Sequence, residues 1–136
     1  MTNAEKAKRF KSEWEDRKEG YAIIIPDSRE PYVVPYQDEL SWLQDKVGGW
    51  IEIVQCRQDP SVAMVISDTG KLDELPENYL ASVLYGVRGD FIVGPAVMLR
   101  RKGPELIGWT KAAADRICAD LYSMYQEYYW GRVDLG

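Results

Sequence analysis

The stretch Leu43-Gln-Asp-Lys-Val-Gly-Gly-Trp-Ile-Glu-Ile-Val54 sets two adjacent glycines, Gly48 and Gly49, between an amphipathic run and an alternating apolar run. A phosphate-binding glycine loop follows a strand and opens a helix, so that free N–H groups at the helix N-terminus face the anion. Here the order is reversed. Over 37–47 the apolar residues Leu40, Leu43 and Val47 recur at helical spacing, with Asp38 and Glu39 near the positive end of the helix dipole. Beyond the glycines, Ile51 and Ile53 share one side of a strand while Trp50, Glu52 and Val54 share the other. Gly48 therefore closes a helix in the left-handed conformation and Gly49 leads tightly into the sheet. The pair is a hinge and not a phosphate cradle.

Outward from this hinge, the chain alternates short strands and helices. Asn3–Glu19 is rich in helix formers, with a narrow apolar stripe at Ala7, Phe10 and Trp14, and predicts an N-terminal helix ending near Gly20. Tyr21–Ile25 reads as a strand, and Pro31–Pro35 as a second one, whose prolines suit a sheet edge because they cannot donate to a ladder. Trp50–Gln55 and Ser61–Ile66, separated by Cys56–Pro60, predict an antiparallel hairpin. Glu77–Tyr85 reads as a short helix capped by Glu77 or Asn78. Phe91–Leu99 is strand-like but interrupted at Gly94-Pro95, which implies a bulge or an edge. Thr110 caps a long helix reaching about Tyr129, with Ala113, Ile117, Leu121, Met124 and Tyr128 along one face. The expected architecture is α+β: a small, mainly antiparallel sheet with helices on one face and a long C-terminal helix. One domain over 1–136 is expected, with the helix of 1–20, a core over 21–99 and an aromatic helix over 110–130.

Composition narrows the chemistry. The chain has 136 residues, 46% of them hydrophobic and 29% charged, the balance of a soluble globular domain. Histidine is absent, which removes the usual general base near neutral pH, every histidine-containing triad and the commonest transition-metal ligand. Cys56 and Cys118 form no Cys-x-x-Cys pair and read as buried free thiols. A net charge of -5 opposes direct nucleic-acid binding, which needs a dense Lys/Arg surface. No apolar run is long enough to span a bilayer, and 1–18 lacks an apolar signal core, so a cytoplasmic location without membrane attachment is expected.

Three groups of residues invite a binding role. The acids Asp68, Asp73, Glu74 and Glu77 fall within ten residues but lack the ligand series and glycine of a calcium loop, and read as solvated turn acids. Arg88, Arg100, Arg101 and Lys102 flank the Phe91–Leu99 run and could hold a nucleotide phosphate or sit in solvent. Tyr122, Tyr125, Tyr128, Tyr129 and Trp130 place aromatic rings on more than one side of the last helix. Such rings are enriched where proteins meet proteins, so the tail predicts self-association or a partner-binding surface. The alternative is that it wraps back across the sheet.

The ordered set Val47-Gly-Gly-Trp-Ile-Glu-Ile-Val54, Val65-Ile-Ser-Asp-Thr-Gly-Lys-Leu72, Leu75-Pro-Glu-Asn78 and Asp90-Phe-Ile-Val-Gly94 resembles an uncharacterised domain family of bacteriophages and mobile elements. The resemblance covers Tyr21–Leu99 and leaves out both terminal helices; Ser67-Asp68 stands where the family typically has Asn-Glu. It implies an origin and a fold but no reaction, and marks Asn78 as a binding position beside its capping role. The functional expectation is a non-enzymatic phage or mobile-element accessory protein, free of cofactors and homo-oligomeric. It would bind a host or self protein, with a host defence factor as the target. The alternative is a small-ligand binder that sequesters a nucleotide or nucleotide-derived signal through the arginines and an aromatic ring.

Overall fold

The computed structural model describes residues 20–135, with side chains described as far as Tyr129. The helix expected over Asn3–Glu19 lies outside the described residues. In chain order the elements are β1 (Tyr21–Ile25), β2 (Tyr32–Pro35), α1 (Leu40–Val47), β3 (Ile51–Gln55), β4 (Val62–Ser67), α2 (Tyr79–Tyr85), β5 (Ala96–Lys102), β6 (Glu105–Ile107) and α3 (Lys111–Leu135). Gly48 caps α1 at φ 82°, its N–H donating to the Gln44 carbonyl, so the hinge is of the kind its sequence context requires.

The strands form a six-stranded sheet in the order β2-β1-β5-β4-β3, with β6 paired to the far half of β5. Every pairing is antiparallel. The hairpin β3–β4 pairs Ile51 with Ser67 and Gln55 with Ala63, and the proline-bracketed β2 is an edge. β5 begins after Gly94-Pro95 and runs on through Arg100, Arg101 and Lys102, which then turn into β6. The sequence reading ended this strand at Leu99 and had no β6, because polar outer residues at a sheet margin carry no apolar alternation.

The α+β class stands, but the helices cover both faces of the sheet and not one. On one face Leu43 and Val47 of α1, with Tyr36, pack on Ala22, Ile24, Val65, Val97 and Leu99. On the other, Leu80 and Ala81 of α2 and Ala114 and Leu121 of α3 pack on Ile23, Ile25, Met64, Ile66 and Met98. The physical reason lies in the central strands: Ala22–Ile25, Val62–Ile66 and Ala96–Leu99 are apolar at consecutive positions, so both faces must leave water. Each large side chain so buried contributes about 1.5–3 kcal/mol.

Both cysteines are free thiols. Burial, then the charge of Asp59, pushes the Cys56 thiol up to about 11. Among the described residues no helix is long and apolar enough to cross a membrane.

Candidate functional site

Where β4 ends, the chain turns sharply through Asp68-Thr-Gly70, and the Thr69 hydroxyl donates to the Asp73 carboxylate at 2.8 Å. The turn lies against the segment 90–93 that precedes β5. Gly70 permits this, because a Cβ there would stand 2.8 Å from Val93 Cγ2. The segment 90–93 is in turn held to the start of α2. Asn78 N donates to the Ile92 carbonyl at 2.8 Å, and Ile92 N donates to the Ser82 hydroxyl at 2.8 Å.

These pieces enclose a cleft of about 130 Å³. Glu52 and Val54 of β3, Ile66 and Ser67 of β4, and Ile92 and Val93 form part of its lining. Asp68, Lys71, Leu72, Tyr85, Asp90 and Phe91 complete it. Lys71 Nζ lies 2.6 Å from Asp90 Oδ1 and 4.7 Å from the centre of the Phe91 ring. The Tyr85 hydroxyl makes a long contact of 3.4 Å with the second Asp90 oxygen. The hydrogen bond from Lys71, then that from the Phe91 N–H, holds the Asp90 carboxyl below its ordinary value. Partial burial, then the negative charge of Asp90 and more weakly that of Glu52, raises the Tyr85 hydroxyl.

Lys71 and Asp90 thus neutralise one another. Glu52 and Asp68 have no ion-pair partner among the described residues, which leaves the cleft with two uncompensated negative charges. Ser67 is only 8% exposed, and its hydroxyl takes part in no hydrogen bond among the described residues. Among the described residues no side-chain polar atom is both buried and without a partner, so this hydroxyl is still reached by solvent at the cleft.

The residues singled out from sequence fall elsewhere. Asn78 is 1% exposed; its amide donates to the carbonyls of Ile25 at 2.8 Å and Gly94 at 2.9 Å, while its side-chain oxygen accepts from Ala81 N at 3.1 Å. The side chain caps α2 and ties it to β1 and to the Gly94 turn. Arg100 lies over the Trp109 ring at 5.9 Å, Arg101 Nε donates to the Gly103 carbonyl, and Arg88 is exposed in the turn after α2. None of the three lines the cleft. Arg100 pairs with Val62, at the opposite end of β4 from Ser67, so a phosphate grip there would not share this site.

The aromatic tail is divided. Tyr122 is 41% exposed. Tyr125 packs against the core, Tyr128 stacks on Tyr79 with ring centres 3.7 Å apart, and the Tyr129 hydroxyl donates to the Asp27 carbonyl at 3.2 Å. The Trp130 side chain lies outside the described residues. Sequence reasoning missed Glu52, Lys71, Tyr85 and Asp90 as a group; Asp68, read as a solvated turn acid, is indeed exposed in its turn and also lines the cleft. A signal did exist for four of these five: Glu52, Asp68, Lys71 and Asp90 all sit in the ordered motifs, and only Tyr85 is outside them.

No curated protein and no solved structure matches the chain. A match to a family described as a domain of unknown function, DUF3846, spans residues 19–122. The match is wider than the Tyr21–Leu99 stretch that carries the motifs, and takes in β6 and the first half of α3 as far as Tyr122. The motif pattern, the antiparallel sheet that brings the motifs together and this match agree, and the chain belongs to the DUF3846 family of uncharacterised domains.

Proposed function

We propose that this protein acts by binding a protein partner and not by catalysing a reaction, and that the cleft between β3, β4 and the segment 90–93 is the centre of its contact surface. One observation carries the reading: residues from separate motifs, Glu52, Asp68, Lys71 and Asp90, converge on a single cleft with two carboxylates unpaired among the described residues. At about 130 Å³ the cleft is well below the roughly 300 Å³ at which pockets begin to hold a drug-sized ligand. It suits one chemical group of a larger partner better than a whole nucleotide, and its charge favours a cation. A role as a phage or mobile-element accessory protein, with a host defence factor as the partner, rests on the motif resemblance alone.

The test is affinity capture from a bacterial lysate with the wild-type chain, the double variant E52Q/D68N and the variant Tyr122→Ala. A partner retained by wild type and Tyr122→Ala but lost from E52Q/D68N, with unchanged far-UV circular dichroism, supports the cleft. Equal retention by E52Q/D68N removes it.

A further inference from the structure

We infer that β3 is a docking edge for an extended segment of a partner protein, which adds to the sheet as a further antiparallel strand and places a Lys or Arg side chain in the acidic cleft. The inference rests on the cleft being a binding site and adds the partner's conformation and chemistry.

The two edges of the sheet differ in how they are closed. β2 is bracketed by Pro31 and Pro35, and among the described residues it pairs with β1 alone. β3 has no proline and no lysine, the two residues with which native proteins commonly blunt an edge. Trp50 is 70% exposed at its start and Ile53 is 45% exposed at its centre.

The backbone groups on this edge can be assigned. The Trp50 carbonyl accepts from Asp68 N at 2.9 Å and Cys56 N donates to the Val62 carbonyl at 3.0 Å, so residues 50 and 56 point toward β4. Antiparallel alternation then turns the N–H and C=O groups of Ile51, Ile53 and Gln55 away from β4, toward the side where no strand pairs among the described residues. These are the donors and acceptors that an added strand takes up.

The side chains follow from the same register. In the added strand, a residue opposite Ile53 lies on the α1 face, beside exposed apolar surface. A residue opposite Glu52 lies on the cleft face, next to Glu52 itself. A basic side chain there meets Glu52 and Asp68, carboxylates without ion-pair partners among the described residues, and the Ser67 hydroxyl, which has no hydrogen bond among them. Leu72, 85% exposed, and Phe91, 44% exposed, offer apolar cover for its aliphatic stem. The cleft volume of about 130 Å³ is close to that of the engineered cavity of about 150 Å³ known to admit one benzene, and so fits a single side-chain head group.

The test is an NMR titration of the full chain with a short acetylated, amidated peptide of alternating threonine and valine carrying a central lysine, and with its glutamate counterpart. The lysine peptide is expected to bind about fivefold more tightly per cross-strand charge pair. It should protect the amides of Ile51, Ile53 and Gln55 from exchange and shift Glu52, Ser67 and Asp68. Glu52→Lys should reverse the preference between the peptides. Ile53→Pro removes an outward N–H without touching the β4 ladder and should weaken both; if it fails to fold, the Glu52→Lys reversal decides alone. Equal binding of the two peptides overturns the inference, as does absence of binding by either. Shifts confined to Lys71, Tyr85 and Asp90 with no protection along β3 overturn strand addition but leave the cleft as a binding site. Protection of the three amides that grows with protein concentration in the absence of peptide would assign the edge to a second copy of this chain and overturn the basic partner.

Discussion

The acidic cleft and the aromatic end of α3 are both assembled from residues far apart in the chain, yet they treat their polar groups in opposite ways. At the aromatic end the Tyr129 hydroxyl reaches the Asp27 carbonyl, and Tyr128 spends its ring face on Tyr79. In the cleft, Glu52 and Asp68 have no ion pair and Ser67 has no hydrogen bond among the described residues. An unusual composition marks the first region, whereas polar groups left to solvent distinguish the second. A run of tyrosines is compatible with an interior role because each ring can bury its body and still lead its hydroxyl to an acceptor. A carboxylate offers no apolar body of that kind, and it stays at a surface unless something pairs with it.

α2 joins the two regions, since Asn78 fixes its start, Tyr79 supports the aromatic end and Tyr85 lines the cleft. The largest effect is therefore expected from Asn78→Ala. It leaves the Ile25 and Gly94 carbonyls and the Ala81 N–H without partners at a buried site. At about 1–3 kcal/mol for each group, a loss of about 3–5 kcal/mol in urea unfolding is expected, and both regions should fail together. A loss below about 1 kcal/mol would mean that the two regions are held independently.

Tyr128→Ala separates them. Loss of the stack on Tyr79 should cost about 1–2 kcal/mol while leaving the peptide affinity of the cleft unchanged. If affinity falls in parallel with stability, the aromatic end positions the cleft and the contrast between them is lost. The double variant E52Q/D68N is the converse. Its stability should stay within about 0.5 kcal/mol of wild type, since neither carboxylate has an ion-pair partner among the described residues to lose, while the preference for the lysine peptide over its glutamate counterpart disappears.

Asp90→Asn probes the cleft rim and should have the smallest effect. The Asp90 carboxyl is held below its ordinary value of 3.8, so the charged form is the one the fold favours. Its contribution to stability is present above that ordinary value and is lost as pH falls through the lower folded-state value. The difference between wild type and Asp90→Asn should be constant near neutral pH and close in acid; a difference that widens in acid would reverse the sign. Removing the charge should also bring the Tyr85 hydroxyl down toward its ordinary value of 10.0, which NMR titration of that ring can follow.

Much of the local structure is legible in single segments. The Gly48 cap, the β3–β4 hairpin, the proline-guarded edge at β2 and the Thr110 cap of α3, seen as Ala113 N donating to its hydroxyl at 3.2 Å, each depend on residues within a few positions of one another. The side of the sheet that each helix covers was misread because the apolar stripes of α1 and α3 look alike in isolation. The consecutive apolar residues of β1, β4 and β5, which demand cover on both faces, are the feature that corrects it. β6 was missed because the three residues Glu105–Ile107 are too short a run to show a period, and the strand is defined by its pairing to Arg100–Lys102.

By itself, then, the sequence determined the α+β class, the caps and turns, the family and the absence of histidine chemistry, because propensity, periodicity and composition are properties of neighbouring residues or of the whole count. Only the tertiary structure decided that Asn78 faces inward, that the tyrosines of α3 are half spent on their own chain, and that Glu52 and Asp68 meet in one cleft. Whether a polar atom is paired depends on what the fold brings beside it, and in this chain those neighbours come from strands and turns remote along the backbone.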